Sequence, residues 1–266
     1  MKRLLSLPSR ALSKPGTPTG SGLFWLCLLG FGFIITAFTR NENANPPPPS
    51  RVYVDASAVG ANNGSSWTDA YTDLQSALAD IPDTIFVANG TYYPTSGTDR
   101  SIVFTIPSGK KLFGGFAGTE MWLSQRNVAA NPTILSGEIG DPGTNSDNSF
   151  NIVVMSSVAA GTRLDGFTVS DSHNGFTGGA VNIGGSATIS NCTFERDTAY
   201  VGGAIAFNGD FLDIDSCLFR FNFGGSGGGG VFSGSGTVDV SYSVFDSNAG
   251  GDSGAAFFSQ GTPTAN

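Results

Sequence analysis

A short apolar unit returns about every 25 residues in the second half of this chain, and that period narrows the available folds more than any other feature. The unit is ISNCTF at 189–194, IDSCLF at 214–219 and VSYSVF at 240–245, with a fainter copy, LDGFTV, at 164–169. Its anchors are Val169, Phe194, Phe219 and Phe245, evenly spaced to within one position. A second element recurs between them: GGAV at 178–181, GGAI at 202–205, GGGV at 228–231 and GAAF at 254–257. A period of roughly 20 to 50 residues signals a solenoid or another repeat array.

A leucine-rich repeat would need Leu at several fixed places, yet only Leu164, Leu212 and Leu218 occur from residue 164 onward. Each unit instead consists of short β-branched or aromatic runs broken by Gly, Asn, Asp and Ser, which is strand and turn chemistry. Short strands wound in ~25-residue turns make an all-β parallel β-helix. Within each unit the parity of inward residues changes, since Ile189 and Phe194 cannot both face the core of one straight strand. A bend at Gly166, Asn191, Ser216 and Tyr242 reconciles them. The anchors then stack as a core spine, and Cys192 and Cys217 stack beside it as two buried thiols. A disulfide between these neighbours is the alternative.

Composition supports this reading: 38 glycines in 266 residues are about twice the usual share of ~7%, and 13% charged residues is far below the usual ~25%. Aromatic residues, 21 of them Phe, supply apolar surface for a core. Net charge is −8, but residues 1–37 hold four basic side chains and no acid, leaving 9 basic against 21 acidic from residue 38 onward. Such a body repels phosphate backbones, so a nucleic-acid partner is excluded.

The basic start precedes an uncharged apolar run at 23–38, the arrangement of an export signal. Residues 1–38 are read as a signal peptide or N-terminal anchor, and 39–50, with four consecutive prolines, as an extended linker. Residues 51–266 form the β-helix domain, expected to be C-terminally truncated. The protein is expected at the cell surface or outside the cell, with membrane contact only through the N-terminal segment or a missing C-terminal anchor. In the upstream part, Thr72 and Gln75 match a capping box opening a short helix with Tyr71, Leu74, Leu78 and Ile81 on one face. That helix is expected to cover the N-terminal end of the solenoid.

GGAV, GGAI and the pairs Phe219–Asn222 and Phe245–Asn248 resemble the GGA(I/V/L)…FxxN repeats of polymorphic outer-membrane proteins, within the right-handed parallel β-helix, pectate-lyase-like superfamily. Phe194 departs from the pattern, with Asp197 in the Asn place. The segments LFGGFAGTE (112–120), NPTILSG (131–137) and LDGFTVS (164–170) are similar to segments of exported surface β-helix proteins. The resemblance implies a right-handed coil in a surface protein.

Enzymes of that superfamily imply two kinds of site. Hydrolases would show paired Asp and a Gly-His-Gly, but the sole histidine, His173, stands in Ser-His-Asn-Gly and reads as a loop residue. Lyases would hold calcium by carboxylates, with a Lys or Arg as base. Asp213 and Asp215 share a face and Asp239 stacks over Asp213, so this trio is one calcium candidate, with Arg220 as the candidate base. Arg196, flanked by Glu195 and Asp197, reads as an ion-pair partner. A second calcium candidate is the loop 140–148, where Asp141, Asn145 and Asp147 carry oxygens around Gly143. Acids without a convincing base favour a non-catalytic, structural or adhesin-like module binding carbohydrate or another surface. The alternative is a calcium-dependent lyase, or related carbohydrate-active enzyme, on acidic polysaccharide.

Overall fold

Strand-forming and turn-forming residues alternate along this chain, and the backbone follows them. A computed structural model describes residues 51–251 and 254–260, with all side chains there except those of residues 176 and 177; the expected leader (1–38) and linker (39–50) lie outside the described residues. Three parallel sheets, of nine, six and four strands, stack as a solenoid of about seven turns.

The sequence period is the pairing register. Leu164 pairs with Ile189, Ile189 with Ile214, and Ile214 with Val240 in the nine-stranded sheet. Leu135, Val169, Phe194, Phe219 and Phe245 pair in turn in the six-stranded sheet. Successive rungs sit one strand spacing apart, ~4.8 Å, so like side chains must stack. The rings of Phe194 and Phe219 lie 4.9 Å apart and those of Phe219 and Phe245 4.6 Å, each pair within 8° of parallel. Phe194 and Phe219 are wholly buried.

The bends fall where the parity argument puts them: Gly166, Asn191, Ser216 and Tyr242 all have positive φ, from 47° to 83°. This left-handed conformation reverses the inward phase between two strands without a long loop. A second column of left-handed corners, Asp171, Arg196, Phe221 and Ser247, joins the six-stranded to the four-stranded sheet. Sequence reasoning missed it, because Arg and Phe give no left-handed signal.

Directly after each second corner the chain turns a polar residue into the interior. Asn248 Oδ1 accepts from the Asn222 backbone N–H at 3.1 Å and from Asn222 Nδ2 at 2.9 Å. Asn222 Oδ1 accepts from the Asp197 N–H, and Asp197 Oδ1 from the Ser172 N–H, each at 3.0 Å. The amides also donate across the turn, Asn222 Nδ2 to Phe194 O and Asn248 Nδ2 to Phe219 O. Such a column satisfies the backbone at a corner where sheet pairing lapses. Asp197 lacks the second donation, and its Oδ2 is buried without a hydrogen-bond partner among the described residues.

Upstream, one helix spans Leu74–Ala79 and buries Leu74, Ala77 and Leu78 in the same core as Val52 and Val54 of the first strand. Its cap is Asp73, which accepts from the Ser76 N–H, and not Thr72 as the capping-box spacing suggests. A carboxylate one residue later reaches the free N–H more directly, while Gln75 donates to the carbonyls of Pro94 and Val103. Ile81, expected on the buried face, follows the end of the helix and is 91% exposed. Cys192 and Cys217 are buried free thiols.

Candidate functional site

The outer face of the nine-stranded sheet gathers the chemistry that the sequence singled out. On the strands Val153–Asp165, Val181–Ser190, Ile205–Asp215 and Val231–Ser241, period-2 alternation sends every second side chain outward. Two outward columns result. One runs Lys111, Arg163, Thr188, Asp213, Asp239; the other runs Phe113, Asp165, Ser190, Asp215, Ser241. The face is therefore basic at its upstream end and acidic downstream.

The stacking of Asp239 on Asp213 is observed as expected. Desolvation, then the charges of Asp215 and Asp239, push the Asp213 carboxyl above its ordinary range, and Arg163 offsets this in part. Asp215 is held by hydroxyls, accepting from Ser241 Oγ at 2.8 Å and Ser216 Oγ at 3.3 Å. Among the described residues no group of three or more His, Cys, Asp or Glu is placed to hold a metal ion.

Arg220 lies on the adjoining strand Leu218–Arg220, around the Ser216 corner, and is bound up elsewhere. Its Nε donates to Glu195 Oε2 at 2.7 Å, and its Nη2 pairs with the same oxygen. Arg196 bridges Glu195 (2.5 Å) and both oxygens of Asp171 (2.7 and 2.9 Å). The result is a chain, Asp171–Arg196–Glu195–Arg220, along one corner column. Burial raises the Glu195 carboxyl, but the two guanidiniums outweigh it and hold it below its ordinary range. Arg196 is pushed up, chiefly by its hydrogen bond to Asp171. No hydrogen bond or ion pair joins Arg220 to Asp213, Asp215 or Asp239 among the described residues.

The loop 140–148 closes on itself. The Asp141 N–H donates to Asp147 Oδ2 at 2.8 Å, the Gly143 N–H to Glu138 Oε1 at 3.0 Å, and residues Asn145–Asp147 form a single 3-10 turn. One carboxylate oxygen of Asp147 is thereby spent on the loop's own backbone. His173 opens the strand His173–Thr177; its N–H bonds Ser149 O, and its carbonyl accepts from Arg100.

Sequence reasoning overlooked a second ion-pair cluster, centred on Asp165. Asp165, 5% exposed, accepts from Arg126 Nη2 at 2.5 Å, Asn191 Nδ2 at 3.0 Å and Arg163 Nη1 at 3.3 Å. Arg126 also donates to the carbonyls of Gly114 and Asp165, and its guanidinium lies over the Phe113 ring. The signal was present in the period, since Asp165, Ser190 and Asp215 follow one another at a single repeat length. Its partner Arg126 comes from a loop outside the repeat and carried none. A cleft of about 440 Å³ beside the helix start, between residues 72–75 and 91–96, contains none of the predicted site residues. Comparison of the chain with protein-family models, with curated proteins and with solved structures finds no match.

Proposed function

We propose that this chain is an exported, cell-surface β-helix that binds carbohydrate on its outer faces and has no catalytic activity of its own. The observation that carries this reading is the in-register column: outward side chains take equivalent positions at each turn, so the surface presents an outward side chain every ~4.8 Å along its axis. A polymer with its own repeat matches such a surface, and a single small molecule does not need it. Export rests on the basic start and apolar run at 1–38. The coil is taken as right-handed, the hand of nearly all parallel crossovers. The repeats are taken as those of the polymorphic outer-membrane type, and the helix Leu74–Ala79 as the N-terminal cap.

The lyase alternative asks for a free base near the acids. Arg220 would first have to leave Glu195, at the expense of a charge-assisted pair. The test is to incubate the full chain with pectate, alginate and glycosaminoglycans, with calcium and with chelator, measuring both retention on the polysaccharide and absorbance of unsaturated products. Retention without product is the expected result. Calcium-dependent product overturns the non-catalytic reading, and no retention on any polysaccharide overturns the binding reading.

A further inference from the structure

The GGA corners, the most regular motif in the sequence, remain unexplained by the charged face. One of them borders a cleft. A Cβ on Gly178, the first residue of GGAV, would come within 3.0 Å of Asn182 Nδ2. Beside it lies a volume of about 350 Å³, lined by Gly178, Asn182, Val201, Ala206, Asn208, Phe232 and Gln260. That is the lower end of the range for ligand clefts, ~300–1,000 Å³.

The lining has three properties. Its floor is a column on the first half of the nine-stranded sheet, Asn182, Ala206 and Phe232, three rungs spanning about 10 Å along the axis. The Phe232 ring, half-buried, lines the cleft and stacks on Phe258 at 5.8 Å and 22°. The side-chain amides of Asn182, Asn208 and Gln260 make no hydrogen bond among the described residues, and no ionisable side chain lines the cleft.

We propose that this cleft binds a neutral glycan chain laid along the solenoid axis. Aromatic faces carry negative charge density and accept the weakly positive C–H face of a sugar ring. Amides both donate and accept, as sugar hydroxyls do. A lining without charge offers nothing to offset the desolvation of a uronate or sulfate. The assignment rests on the carbohydrate-binding reading above and locates it on a different part of the surface from the Asp213 column.

The full chain is titrated calorimetrically with cello-, xylo- and manno-hexaose and with hexagalacturonate. The expected result is binding of at least one neutral hexaose, weakened about tenfold or more in both Phe232→Ala and Asn208→Ala and unchanged in Asp213→Asn. Asn208 is exposed, so its variant reports even if Phe232→Ala does not fold. Neutral binding that neither variant alters overturns the cleft and leaves the carbohydrate reading standing, as does binding of hexagalacturonate alone. Binding of no polysaccharide or oligosaccharide overturns both.

Discussion

Asp197 occupies a place that Asn222 and Asn248 fill in the next two turns, and it is fully buried. Burial pushes its carboxyl well above the ordinary carboxylate range; the Ser172 N–H and Arg196 pull the other way, and Asp171 adds to the rise. The folded chain thus holds a proton that the unfolded chain releases above a pKa of ~3.9. Stability from this group is complete below that value and falls as pH rises toward the folded pKa, by at most ~1.4 kcal/mol per pH unit. Asp197→Asn supplies the amide its neighbours carry. Chemical denaturation from pH 4 to 8 is expected to show a flatter profile and about 1–3 kcal/mol more stability at neutral pH; an unaltered slope would refute the assignment. Tyr242 tests a different residue property. It is 90% exposed and sits at a φ of 47°, where a Cβ costs roughly 1–2 kcal/mol. Tyr242→Gly is expected to raise the melting temperature, whereas Asn191→Val, at the equivalent corner, lowers it.

At the level of strands and columns, stacking cuts both ways. It gives Phe219 two ring partners, so Phe219→Ala should cost about 3–5 kcal/mol in urea unfolding. It also places Asp239 beside Asp213. Asp239→Lys turns that repulsion into a pair; the gain should be about 0.5 kcal/mol at low salt and shrink in 1 M NaCl, as befits an exposed rung. A gain that ignores salt would mean packing, not charge. Cys192 and Cys217 should resist thiol reagents until the chain unfolds, since burial raises the Cys192 thiol well above its ordinary value. The columns were legible because each of these side chains recurs at a fixed spacing. The cap was read one residue early, because Thr72 and Asp73 are both good caps and only the backbone path chooses between them. The Arg126–Asp165 pair was not legible, as it joins a repeat to a loop 39 residues away.

Over the whole chain, regularity is unequal. From Leu164 onward the turns match in length to within one position, but Val52 pairs with Ile85, Ile85 with Leu112, and Leu112 only with Leu164. The long upstream turns carry excursions such as the strand Phe104–Thr105 and the loop 140–148, so no period could announce them in the sequence. Each turn leans only on its neighbours, the condition for stability that varies along the axis. Val240, Val244 and Phe257 are exposed by more than a third, while Val153, Val181 and Ile205 are wholly buried. Hydrogen exchange should therefore proceed faster at residues 240–259 than at 153–205; uniform protection would contradict a solenoid that opens turn by turn. The shared phase of every column also makes one repeat length behave like a codon. Excising 192–216 would join Asn191 to Cys217, return a Cys to the place of a Cys and a Phe to the place of a Phe, and shorten the rod by one rung with no side chain changing sides. An excision shorter by a single residue would leave one extra position that a bulge must absorb, as the step from Ala199–Val201 to Gly224–Gly227 already does, and within a straight strand it would turn core side chains outward. Length in such a molecule is inherited as copy number, adjustable by whole modules while the chemistry of each face is kept.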